Sequence, residues 1–115
     1  MKKIALFAFN GDPICFVHVL LNALDFHKNG DEVKIIMEGS ATKLVETLAE
    51  PTQPFAKLYQ QVKEAGLIDC TCRACANKMN ALKAAEAQNL PICDELSGHP
   101  GMRKYIQEGF EIITF

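Results

Sequence analysis

Three of the five cysteines fall within six residues, in Asp69-Cys70-Thr71-Cys72-Arg73-Ala74-Cys75-Ala76-Asn77-Lys78-Met79. Thiols at such spacing can act as nucleophiles, as a redox couple or as metal ligands. Leu67-Ile68-Asp69-Cys70 reads as a short strand following the breaker Gly66, and Cys75, Met79 and Leu82 recur at i, i+4 and i+7, one face of a helix. The thiols are therefore predicted at the carboxyl end of a strand and the amino end of a helix, the edge at which open α/β sheets bind ligands. Unpaired N–H groups at a helix start favour a thiolate. On that ground Cys75 is the expected reactive thiol and Cys72 the second. Cys70 lacks the benefit at a strand end, and Cys15 is placed on the apolar side of the first helix, where desolvation would raise its pKa. Arg73 is expected to help lower a neighbouring thiol's pKa, and Cys70, Cys93, His99 and Asn10 are the other accessory candidates.

The elements that must position these groups follow from the apolar pattern. Lys3 to Phe9 is a continuous apolar run, as expected of a central parallel strand covered on both faces. Asp12 caps a helix that opens on Pro13 and runs to about Lys28, closed by Asn29-Gly30. Glu32 to Met37 is a second strand, followed by a short helix carrying Leu44, Val45 and Leu48, and by another from Phe55 to Ala65. After the cysteine strand, an Ala-, Lys- and Glu-rich stretch predicts one helix from about Cys72 to Gln88. Pro91 argues for a short edge strand or extended loop over residues 89–96. Gly98-His99-Pro100-Gly101 is a turn, and Met102 to Glu108 a helix with Met102, Tyr105 and Ile106 inward. Phe110 to Phe115 is a last strand parallel to the first. The alternation predicts a single α/β domain with a mainly parallel sheet of four or five strands and helices on both faces.

Composition narrows the setting. The chain has 115 residues, 49% of them hydrophobic and 23% charged, with a net charge of −2. This suits one domain and offers no electrostatic reason to expect nucleic acid or a membrane surface. No apolar run approaches the roughly 18 residues of a membrane span, and Ile4 to Phe9 is short for a signal peptide. A cytoplasmic location is expected, where five cysteines point to reactive or metal-bound thiols more than to structural disulfides. The first helix is apolar on more than one side, which predicts a homo-oligomer with some of Phe16, Leu20, Tyr59 or Val62 at contacts.

There is no G-x-G-x-x-G and no G-x-x-x-x-G-K-[ST], so the backbone cradles of dinucleotide and P-loop sites are missing. His18 and His27 are placed along the first helix with surface or packing roles, while the turn of His99 faces the cysteine edge. Four readings of the thiols stand side by side: packing, a Cys72-Arg73-Ala74-Cys75 redox couple, a zinc or iron–sulfur site formed by Cys70, Cys72, Cys75 and Cys93, and sulfur transfer.

The last of these rests on a resemblance. The order of elements, the helix opening Cys75-Ala76-Asn77-Lys78-Met79 and the ending Gly98-His99-Pro100-Gly101 through Gly109-Phe110-Glu111-Ile112-Ile113-Thr114-Phe115 resemble the DsrE/DsrF-like family, whose relatives include the Tus sulfur-relay subunits. The resemblance spans residues 1–115. It implies a flavodoxin-like α/β domain that assembles into trimers or hexamers, needs no cofactor and works with sulfur donor and acceptor proteins. It also implies a sulfurtransferase-type role in which Cys75 carries a persulfide. Cys70 and Cys72 are additions to the family pattern, and Cys72 could resolve the persulfide as a disulfide.

Overall fold

The computed structural model describes all 115 residues. Its elements are β1 (Lys3–Ala8), α1 (Pro13–Lys28), β2 (Glu32–Met37), a 3-10 turn (Gly39–Lys43) leading into α2 (Leu44–Thr47), α3 (Ala56–Glu64), β3 (Ile68–Cys72), α4 (Arg73–Lys78), α5 (Leu82–Ala87), β4 (Ile92–Cys93), α6 (Arg103–Gln107) and β5 (Glu111–Thr114). All five strands pair in parallel, in the order β4-β3-β2-β1-β5. β1 is interior, flanked by β2 and β5, while the middle place belongs to β2. The continuous apolar run of β1 fits that position, since Ile4 to Ala8 are all buried and both faces of the strand are covered.

The two faces are covered unequally. One carries a cluster of 20 buried residues drawn from α1, the 3-10 turn, α2, α3, α5 and the facing strand positions, including Leu6, Phe16, Leu20, Ile35, Tyr59 and Val62. The other has seven, namely Ala5, Phe7, Ile36, Cys70, Cys93, Tyr105 and Phe110, and α6 is the helix that supplies its lid. Tyr105 meets Phe7 and Phe110 edge to face, at ring separations of 5.5 and 6.0 Å. A register shift between Ile35 and Ile36 leaves Asp69 as an extra residue in β3, and its carboxylate accepts a 2.5 Å bond from the Tyr105 hydroxyl.

Several expectations are corrected. The stretch 72–88 is two helices, because Asn80 adopts a left-handed φ of 57° and the Ala81 N–H turns back to the Ala76 carbonyl. Cys75 and Leu82 consequently lie on different helices. β3 extends to Cys72, held by pairing with β4 and by the bond from the Thr71 N–H to the Pro91 carbonyl. Of the α6 side chains only Tyr105 points inward, whereas Met102 is 36% and Ile106 61% exposed. Phe16, Leu20, Tyr59 and Val62 are fully buried within the chain and so cannot form subunit contacts. Cys15 is exposed, which removes the desolvation expected for it. No helix is long and apolar enough to cross a membrane.

The two tyrosines give a direct check on these layers. Tyr59 donates a 2.6 Å bond to Gln88, and Tyr105 is bonded to Asp69. Burial raises the pKa of both phenols, and for Tyr105 the anionic Asp69 adds to the rise. Because the native pKa lies above the unfolded value, this stabilisation is whole below a pH of about 10 and is lost as pH climbs above it. A spectrophotometric alkaline titration should therefore show no tyrosinate at pH values where a free tyrosine is half ionised. Both rings should then ionise together with loss of circular dichroism, and a non-cooperative titration at a normal pKa would contradict the burial of either ring.

Candidate functional site

Four elements bring their ends together at the carboxyl edge of the sheet. Glu38 directly follows β2, two residues past Ile36 and on the same thinly covered face. Cys72 is both the last residue of β3 and the N-cap of α4, its Sγ accepting the Cys75 N–H at 3.4 Å. Cys75 lies in the first turn of α4. His99 arrives from the turn between β4 and α6, which doubles back on itself through paired bonds between Leu96 and His99. That turn is tied to α4 by a 2.9 Å bond from the Ala74 N–H to the Gly98 carbonyl. Gly98 has a φ of 91°, and a Cβ there would stand 3.2 Å from that of Ala74, so a glycine lets the turn sit this close to the helix.

The donor atoms of Glu38, Cys72, Cys75 and His99 all lie within 4.8 Å of one another. His99 Nδ1 is 3.1 Å from Cys72 Sγ and 3.6 Å from Cys75 Sγ, and Glu38 Oε1 is 3.9 Å from the same nitrogen. The Cys72 thiol also faces the Gly98 carbonyl at 3.6 Å. Burial pushes the Cys72 thiol up to about 12, against the Cys75 N–H that favours its anion, and the neighbouring Cys75 and Glu38 charges add to the rise. Burial likewise raises Glu38, with His99 opposing. Cys72 thus holds its proton in the metal-free chain. Cys75 is partly exposed and opens onto a shallow cavity lined also by Gly39, Ser40, Lys78 and Met79, while the His99 side chain is 46% exposed.

The remaining candidates are placed elsewhere. Cys70 and Cys93 form a disulfide between β3 and β4, with Cα atoms 5.7 Å apart and both residues buried. The four-thiolate set Cys70, Cys72, Cys75 and Cys93 is thereby overturned, because two of its sulfurs are bonded to each other. Arg73 is engaged by Asp94, Nε to Oδ2 at 2.9 Å, and not by a thiol. Asn10 accepts the Asp12 N–H and lines a separate cavity with Cys15, His18, Asn22 and Phe115. The expected helix-start advantage of Cys75 is corrected too: α4 has only six residues, and the capping N–H serves the Cys72 sulfur instead. Glu38 is the member that sequence reasoning missed. Its only signal was its place just past the end of an expected strand, at the edge where such sheets bind ligands.

The disulfide closes a loop across a sequence separation of 23, for which chain entropy gives a stabilisation of roughly 3 kcal/mol. Reduction under native conditions should lower the denaturant midpoint accordingly, and an unchanged midpoint after verified reduction would show that the cross-link contributes nothing.

No family model matches the chain. An uncharacterized protein of Methanocaldococcus jannaschii is 33% identical over 97 residues, covering 84% of this chain and 77% of that protein. An uncharacterized protein of Archaeoglobus fulgidus is 41% identical over 49 residues, 43% of this chain and 80% of its own length. Among solved structures, a conserved protein of unknown function from Bacteroides thetaiotaomicron superposes with a TM-score of 0.69 at 17% identity, covering 98% of this chain and 95% of that one. At that identity the likeness shows a shared fold.

Proposed function

This chain belongs to the family of the Methanocaldococcus jannaschii protein, and from its site we propose a cysteine-persulfide carrier that takes sulfane sulfur onto Cys75 and yields it to an acceptor thiol. The observation that carries the reading is a partly exposed cysteine whose sulfur lies 3.6 Å from His99 Nδ1, beside a second, fully buried thiol. His99 takes the Cys75 proton, and the thiolate attacks the outer sulfur of a donor persulfide. The donor's S–S bond breaks, a new one forms to Cys75, and the donor leaves as a thiolate. An acceptor thiolate then attacks the outer sulfur in the same way, so neither transfer is a net oxidation. Cys72 can close on the loaded Cys75, releasing hydrosulfide and leaving a Cys72–Cys75 disulfide.

The DsrE/DsrF-like resemblance supports this reading, as does the parallel flavodoxin-like sheet with its thiols at the carboxyl edge. The same reading has the chain acting in the cytoplasm and assembling with itself as a trimer or hexamer. With the earlier contact residues buried, the exposed apolar side chains Ile14 and Leu21 of α1, together with Leu96, Ile106 and Ile113, are among those available for that assembly. A second reading, a dithiol redox couple, is favoured by the contact between the Cys75 N–H and Cys72 Sγ.

Intact mass of the non-reduced, chelator-treated protein after exposure to a small-molecule persulfide distinguishes the two. Addition of one sulfur, removed by a thiol acceptor, is expected. Because resolution by Cys72 also ends in a two-proton loss, the Cys72→Ser chain decides between them. Sulfur held there favours the carrier, whereas a wild-type two-proton loss with no sulfur held by Cys72→Ser favours the redox couple. No change in either chain removes the basis for both.

A further inference from the structure

We propose that Glu38, Cys72, Cys75 and His99 form a binding site for one zinc-like divalent ion, a use of the centre that does not depend on sulfur transfer. Tetrahedral zinc with two thiolates, one imidazole and one carboxylate places its donors at metal distances near 2.0–2.3 Å, hence about 3.3–3.8 Å from one another. The distances from His99 Nδ1 to the other three donors are 3.1, 3.6 and 3.9 Å, within about half an ångström of that spacing. All the donors lie within 4.8 Å of one another, so an ion draws the widest pair together by up to about 1 Å. The four donors come from four different segments, the ends of β2 and β3, the first turn of α4 and the turn before α6. An ion would therefore clasp the turn before α6 to the ends of β2 and β3 and the start of α4, adding to the bond from the Ala74 N–H to the Gly98 carbonyl. Two thiolates select a soft ion such as zinc over calcium or magnesium, and with only two sulfurs free here an iron–sulfur cluster lacks half of its usual ligands.

The surroundings are those of a metal centre. The Cys75 N–H already points at the Cys72 sulfur, where it would continue to stabilise a bound thiolate. Glu38 is buried beside the sulfurs, so a cation gives its carboxylate a partner that the apolar layer does not supply. Exposure of the His99 ring and partial exposure of Cys75 leave an entry path. On binding, the two S–H bonds are replaced by two metal–sulfur bonds, and two protons go to solvent. His99 contributes the Nδ1 lone pair with its proton on Nε2, and Glu38 one carboxylate oxygen. Because an ion so held occupies the Cys75 lone pair, metal and sulfane sulfur compete for the same atom.

Titration of the reduced wild-type chain with cobalt(II) tests the site. Saturation at one equivalent is expected, with the visible bands of tetrahedral cobalt, a charge-transfer intensity matching two thiolates, displacement by zinc and a higher melting temperature with zinc. Changes in residues that merely support metal ligands cost about 10–100-fold in affinity, so Cys75→Ser and His99→Ala should each exceed about 100-fold. Cys15→Ser should bind as wild type does. The proposal is overturned if the wild-type chain shows no saturable site, or if His99→Ala binds normally. It is also overturned if the intensity matches four thiolates, which would assign the metal to Cys70 and Cys93 after reduction. Sulfur loading of chelator-treated protein is read separately, so a failed metal site and a failed carrier give different results.

Discussion

Cys75→Ser is expected to abolish sulfur loading, while Cys72→Ser loads and holds its sulfur longer than the wild type. The contrast follows from where each thiol sits. Cys75 has an open approach beside Gly39 and Ser40, and His99 Nδ1 stands 3.6 Å away to receive its proton. Cys72 is fully buried, and its pKa is pushed up to about 12 chiefly by that burial, so it is neither reachable by a protein-bound donor nor ionised near neutrality. Serine at 72 retains an acceptor for the Cys75 N–H, since serine is a preferred N-cap, and the first turn of α4 keeps its cap. What it removes is the thiol that would release hydrosulfide. His99→Ala should slow loading by about 10²-fold near neutral pH, the usual contribution of a positioned base, with the deficit shrinking as hydroxide takes over the deprotonation. Loading rates of the three variants, followed by intact mass, decide the matter: a Cys75→Ser chain that loads normally would exclude Cys75 as the carrier.

The largest stability effect should come from Phe7→Ala, which is expected to cost about 3–5 kcal/mol, as large-to-small changes at buried aromatics do. Phe7 is fully buried and packs edge-on against Tyr105, the side chain through which α6 covers its face of the sheet. That face has only seven buried residues, so little surrounding material can close over the hole. The midpoint of urea unfolding, with its slope, measures the loss. A cost below about 1 kcal/mol would mean that α6 is not anchored by this contact.

The sheet was legible because β1 is an uninterrupted apolar run and the other strands are apolar-rich segments set off by breakers such as Gly30, Gly39, Gly66 and Gly109. Asp12-Pro13 and Asn29-Gly30 marked both ends of α1, and its observed span is the one those residues predicted. The break in the helix after the cysteines was not legible. Asn80 is a weak helix former that tolerates the left-handed conformation it adopts, but the Ala-, Lys- and Glu-rich residues around it outweigh that single signal, and only the return of Ala81 onto Ala76 marks the break. At the site, the placing of Cys72, Cys75 and His99 at one edge followed from topology. The pairing of Cys70 with Cys93 did not, because it depends on the register of a two-residue edge strand that a proline precedes. Nor did the inclusion of Glu38, since one acidic residue after a strand looks like any solvated loop residue until the turn of His99 is seen to lie across it. Met102 and Ile106 misled through their type: a short helix over a thin layer buries one large side chain, and here that is Tyr105.

The unequal covering of the sheet sets an order of events on warming or mild denaturation. Local opening costs least where few apolar contacts hold an element down, and α6 with the turn before it rests on the smaller cluster. Amide hydrogens of 94–108 should exchange with solvent well before those of β1 and β2, which the larger cluster holds. Release of this segment carries His99 away from the sulfurs and uncovers the Cys70–Cys93 bond to reductants while the rest of the sheet is still paired. The chemical centre is therefore dismantled before the fold is.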